Sequence, residues 1–182
     1  ATLPSDLAIL KTYPLDVLFP LALKMAEISL RQGEPSRAKT ILDIIAADNT
    51  AMSIPQKANF DYLRGEYSRQ TGHPEESKEL WGKLTSGADD FFRAKARFAL
   101  SALQLEKKEI TIDKAIDNLE GLRYAWRGDG LEISINNNLA KLYLQKGEPL
   151  KALTLLRQAA LLTPNTEQGK KITAELHSTF NG

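Results

Sequence analysis

Arg93 and Arg97 stand four residues apart, a spacing that puts both guanidinium groups on one face of a helix. Two arginines so placed either hold a carboxylate through charge-assisted hydrogen bonds or form a solvated face, and the solvated face is the preferred reading. The rest of the chain is poor in reactive groups. The two histidines, His73 and His177, fall in separate segments, and His73 lies in a turn, so both read as solvated side chains. Cysteine is absent, which removes disulfide frameworks, zinc knuckles and thiol nucleophiles. HExxH, GxSxG, P-loop and EF-hand patterns do not occur. The acidic pairs Glu75-Glu76 and Asp89-Asp90 sit where helices begin and complement the helix dipole there. Arg127-Gly128-Asp129 spells an integrin-type tripeptide, but a helix-to-helix turn accounts for it. Gly128 and Gly130 release one helix and Asp129 caps the next. Neither an enzyme nor a metal or cofactor is expected.

Composition narrows the partners. The 182 residues are 42% hydrophobic and 7% aromatic, and 24 Lys+Arg face 23 Asp+Glu for a formal charge of +1. That balance gives no reason to expect nucleic acid or an acidic membrane surface. Alanine and leucine dominate and β-branched runs are scarce, which favours helix throughout. No apolar run reaches the roughly 18 residues of a membrane span. The chain opens on Ala1, as an excised or processed product with signals or further repeats missing would.

The stretch Leu139–Pro164 shows what must position the arginines. Leu139, Ala140, Tyr143 and Leu144 form one helical stripe, and Ala152, Leu155, Leu156 and Ala159 form another. Gly147-Glu148-Pro149 separates them. The glycine accepts a positive φ at a helix end, and the proline sits in the next first turn, where its missing N–H costs nothing. Thr163-Pro164 ends the second helix. Ala140 and Ala152 are small where two antiparallel helices cross, which lets the axes approach to about 8–10 Å.

Gly33-Glu34-Pro35 repeats that turn word for word, with Ala38, Leu42 and Ile45 at the same offsets as Ala152, Leu156 and Ala159. Gly72-His73-Pro74 takes the same role, with Ser77 in the small place and Trp81 in the large one. One extra residue lies between Tyr67 and Gly72 relative to Tyr143 and Gly147. The third helix pair departs further. Asp89 or Asp90 caps a helix with Phe91, Ala94, Phe98, Ala99 and Ala102 inward, and the longer turn EKKEITID follows. Ala115, Leu119 and Leu122 restore the register. The small places Ala38, Ser77, Ala115 and Ala152 recur 39, 38 and 37 residues apart. A short helix at 3–11 capped at Ser5 or Asp6, alternatively a leftover or a capping turn, and a polar terminal helix at 165–181 complete the chain. Leu15 to about Gln32 is the first long helix, with Pro20 near its start or kinking it.

Leu139-Ala140, Tyr143, Gly147, Ala152, Leu156, Ala159 and Pro164 fill the places of the tetratricopeptide repeat (TPR), which this chain resembles; Asn136 stands where that repeat usually has Trp. The resemblance implies an all-α, right-handed α-solenoid of about four helix pairs plus a terminal helix. The repeats cover roughly 15–50, 55–87, 89–127 and 131–164 of one domain spanning 1–182. LRYAWRGDGLEI followed by a TPR is also similar to a segment of large TPR proteins of alphaproteobacteria, exported envelope proteins among them. That implies a bacterial origin and a place outside the cytoplasm.

In such a stack the first helix of each pair lines the concave groove. The register places Tyr62, Arg69, Arg93, Arg97, Asn137 and Lys141 there, with Lys24, Glu27, Arg31 and Gln145 beside them. Arg93 and Arg97 fall where TPRs of the carboxylate-clamp type carry basic residues, but Leu23 and Glu27 replace that clamp's first-repeat Lys and Asn. The expected function is a non-enzymatic scaffold that binds a peptide or protein segment in the groove. The alternative is a homo-oligomer assembled through the ends of the solenoid.

Overall fold

A computed structural model describes residues 5–126 and 130–162, together with Ala174. The tripeptide at 127–129, Pro164, His177 and the expected terminal helix at 165–181 lie outside the described residues. Among the described residues all regular structure is helical. The chain divides into two compact units, 1–100 and 101–182.

The first unit opens with α1 (Ser5–Ala8) and a 3-10 turn (Ile9–Thr12). Four helices follow: α2 (Leu15–Arg31), α3 (Pro35–Ala46), α4 (Ile54–Gln70) and α5 (Pro74–Leu84). The long helix α6 (Asp90–Glu106) begins in this unit and ends in the next. The second unit continues with α7 (Ile112–Ala125), α8 (Gly130–Gln145) and α9 (Pro149–Leu161). Helices pack chiefly as sequence neighbours, α2 with α3, α4 with α5 and α8 with α9. None of these helices is long and apolar enough to cross a membrane.

Each first helix stops the same way. Gly33, Gly72 and Gly147 have φ of +74°, +81° and +79°. The residue after each glycine donates back to Ser29, Ser68 and Tyr143 at 2.8 Å. This is the Schellman arrangement, in which a left-handed residue lets orphan carbonyls find donors. Pro35, Pro74 and Pro149 then open the next helix.

Two sequence expectations are corrected here. Ser68, not Tyr67, occupies the place of Tyr143, since both accept the bond that closes the turn. No residue is inserted, and Tyr67 corresponds to Leu142. In the third pair the left-handed residue is Lys108, with φ of +60°, and Glu109 N–H donates to Gln104 O at 2.8 Å. The turn then runs on to Thr111, whose hydroxyl accepts from Lys114 N–H at 3.2 Å and caps α7.

The core follows the small-residue notches. Ala22, Ala26, Ala38, Ile41 and Ile45 of the first unit are fully buried. So are Leu139, Ala140, Ala152 and Ala159 of the second. In α6 the inward stripe differs from the one expected. Phe92, Ala94, Ala96 and Ala99 are buried, Phe91 and Phe98 are half-buried, and Ala102 is exposed. Apolar residues at both 91 and 92 leave the phase of the stripe ambiguous, and the ring of Phe92 settles it by meeting Tyr62, centroids 6.1 Å apart.

Candidate ligand groove

The first unit holds a hollow of about 290 Å³ between α2, α4 and α6. Helical spacing builds each wall. Glu27, Leu30 and Arg31 project from α2; Tyr62, Glu66 and Gln70 project from α4 at intervals of four; Lys95 comes from α6. Such i, i+3, i+4 sets share one helix face.

Tyr62 lines the hollow, and other aromatic rings pack against it. Tyr62 stacks on Trp81 of α5 with centroids 5.8 Å apart and planes at 25°. Phe92 and Phe91 continue the row, edge to face at 5.1 Å. The Lys95 ammonium lies 4.4 Å from the Tyr62 ring centre and 5.5 Å from those of Phe91 and Phe92. A cation over ring faces is attracted by their quadrupoles, so the aromatic row holds this charge at the mouth of the hollow.

Charge at the rim is organised in pairs. Lys24 Nζ meets Glu27 Oε2 at 2.8 Å. Arg69 grips Glu66 with two bonds, at 2.9 and 2.6 Å. Gln70 Nε2 donates to Glu66 at 2.7 Å and to the Leu30 carbonyl at 3.0 Å, which pins α4 to the end of α2. Burial opposes ionisation of Glu27, but the Lys24 hydrogen bond and the charges of Lys24, Lys95 and Arg31 outweigh it and hold the carboxyl below its usual value. Burial, then the Glu66 charge, pushes the Tyr62 phenol far up, with Arg69 pulling the other way. Within the lining Arg31 and Lys95 balance the carboxylates Glu27 and Glu66, and at the rim Lys24 and Arg69 add two cations, each paired to one of those carboxylates.

The six residues singled out from sequence fall in three places. Tyr62 and Arg69 belong to this hollow or its rim. Arg93 and Arg97 bind the turn between α5 and α6. Arg93 Nη1 donates to Gly87 O at 2.8 Å and its other end pairs with Asp90. Arg97 Nη2 donates to Thr85 O at 3.1 Å. Asn137 and Lys141 lie on α8 of the second unit. Lys141 is exposed; Asn137 is half-buried, and its Oδ1, like that of fully buried Asn136, is buried without a hydrogen-bond partner. Lys95, Glu66 and Gln70 were not singled out from sequence. The one available signal was Lys95 itself, three and four residues after Phe92 and Phe91.

The folded chain has solved counterparts. A crystal structure of TPR-like repeats from a putative kinesin light chain of Podospora anserina superposes with a TM-score of 0.57 at 15% identity, covering 89% of this chain and 85% of that one. A variant of the same protein gives 0.59 at 15% identity over 89% and 84%. PilF of Pseudomonas aeruginosa gives 0.60 at 18% identity over 91% and 70%. No protein-family model and no curated protein matches the chain. The fold is thus an all-α solenoid of the tetratricopeptide-repeat kind.

Proposed function

We propose that this chain is a non-enzymatic interaction scaffold whose groove, centred on Tyr62 and Lys95, takes an acidic segment of a partner protein. The observation that carries this reading is the hollow on the first helices of successive pairs, where Lys95 lies over the Tyr62 ring and the rim cations Lys24 and Arg69 add to Arg31. Charge of one sign in a recess steers and orients segments of the opposite sign. The same helix face recurs in the second unit. Tyr62 lies ten residues ahead of Gly72, as Asn137 lies ten ahead of Gly147. Glu66 and Lys141 each lie six ahead of those glycines. Asn137 and Lys141 are therefore the residues of α8 proposed to contact a ligand in the second unit, and Arg97 of the first unit, exposed beside its bond to Thr85, is tested with Asn137.

Labelled peptides of equal length, one acidic, one neutral and one basic, test the proposal by fluorescence anisotropy. The acidic peptide binds best to the wild type, and Arg31→Glu weakens it roughly tenfold, about 1.4 kcal/mol. Asn137→Ala combined with Arg97→Ala weakens it further. Equal binding of all three peptides, or no loss in Arg31→Glu, overturns the reading.

A further inference from the structure

A second hollow of about 300 Å³ opens on the other side of α4, between α3 and the start of α5. Phe60, Arg64 and Tyr67 line it from α4. Their intervals of four and three put them on one helix face. Leu42 and Ala46 line it from α3, and Glu76 from α5. Phe60 and Leu42 are buried apolar side chains.

Arg64 breaks the repeat at this point. Counting back from the left-handed residue that closes each first helix, the place eight residues ahead holds Met25 in α2, Leu100 in α6 and Leu139 in α8. All three are apolar and buried or half-buried. In α4 that place holds Arg64, and it is exposed. A residue that contradicts the packing pattern of its own fold is expected where the chain does something besides fold.

The charge of Arg64 also stands apart. Lys39 pairs with Asp43, Lys57 with Asp61 and Arg69 with Glu66, each at 2.6 Å. Among the described residues Arg64 has no such carboxylate. Its guanidinium lies 5.7 Å from the centre of the Phe60 ring instead. Lys57 shares that ring at 5.3 Å but is held by Asp61. The acids that line the hollow are engaged already. Asp43 is held by Lys39, and the buried Ser68 hydroxyl donates to Glu76 Oε2 at 2.9 Å.

We propose that this hollow binds a small carboxylic acid with an apolar body. The carboxylate meets the planar fork of Arg64 through charge-assisted hydrogen bonds. The body lies against Phe60, Leu42 and Ala46. A recess between helices with apolar walls and few polar groups is the usual form of a small-molecule site, and this volume stands at the small end of the range. An anion is favoured over a cation because Asp43 and Glu76 have donors, whereas Arg64 has no acceptor among the described residues. The site is independent of the groove, which takes Tyr62, Glu66 and Gln70 from the same helix.

Isothermal titration of the full chain with phenylpropionate, phenylpropanol and phenylpropylamine tests it, because the three share one body and differ in charge. The acid binds, and the alcohol and the amine bind at least about tenfold more weakly. Arg64→Gln lowers the acid to the level of the alcohol, with unchanged helical circular dichroism. No binding of the acid at millimolar concentration overturns the proposal. So does equal binding of the three compounds, or an acid affinity unchanged in Arg64→Gln. Amide NMR of the wild type gives a readout that depends on no variant. The acid shifts the resonances of Leu42, Phe60 and Arg64; shifts confined to Tyr62 and Lys95 put the anion in the groove and overturn the second site.

Discussion

The indole Nε1 of Trp81 donates to the backbone carbonyl of Tyr62 at 3.1 Å while the two rings stack. Trp81 thereby bonds to the backbone of α4 and supports the Tyr62 ring that lines the hollow. Gly65 makes this approach possible. A Cβ built there would lie 2.4 Å from the Trp81 Nε1 and 2.7 Å from its Cδ1.

Gly65→Ala is therefore expected to destabilise the fold by about 1–3 kcal/mol, the range for overpacking a filled core. Helix propensity alone predicts the opposite sign, a gain of about 0.5–1 kcal/mol. Gly121, exposed within α7 with nothing near its absent Cβ, shows that gain alone. Urea titration of both variants decides the matter: equal and positive shifts would mean that the indole moves aside freely.

Lys108 occupies the left-handed place that glycine fills in the other three turns. That conformation costs a non-glycine residue roughly 1–2 kcal/mol, and glycine's extra freedom when unfolded offsets about 0.5–1 kcal/mol of the gain. Lys108→Gly is expected to raise stability by about 0.5–1 kcal/mol, read as a higher urea midpoint at constant slope.

Leu139 is fully buried in the second unit, and Leu150 is 78% exposed in the same unit. Leu139→Ala is expected to cost about 2–5 kcal/mol; Leu150→Ala stays within roughly 0.5 kcal/mol of wild type. A cost below about 1 kcal/mol at Leu139 would remove it from the core.

Tyr143 carries a pH signature. Burial, then its 3.0 Å hydrogen bond to Glu120 and that carboxylate's charge, pushes the phenol up to about 12, with Arg123 opposing. An unfolded tyrosine titrates near 10. The raised value means that the associated stability is fully present below pH of about 10 and is lost as pH rises through about 12. Alkaline unfolding should therefore be less steep over that window in Tyr143→Phe than in the wild type. Identical profiles would show that Tyr143 is not the titrating group.

The repeat architecture was legible because its turns are written in unambiguous residues. Gly-Glu-Pro and Gly-His-Pro announce a left-handed stop and a proline start, and alanine or serine marks each crossing. The third turn hid its stop because lysine replaces glycine there, and only the φ of Lys108 reveals it. The register of α4 misled for a similar reason. In the sequence the aromatic Tyr67 reads as the anchor, whereas the invariant of the geometry is distance from the left-handed residue, which puts Ser68 in the place of Tyr143. The groove was half legible. Tyr62, Arg69, Glu27 and Arg31 follow from periodicity. Arg93 and Arg97 share a helix face as expected, but their reach to Gly87 and Thr85 depends on how the α5–α6 turn folds back, which spacing does not encode.

The aromatic row also equips the protein with its own optical reporter. Trp81 is one of two tryptophans and is 1% exposed, so its emission should be blue-shifted in the folded chain and should move red on unfolding. Because the indole rests on Tyr62 from beneath, a ligand that displaces Lys95 or tilts the phenol changes the field at the fluorophore. Binding in the hollow should thus be visible in intrinsic fluorescence without any attached dye.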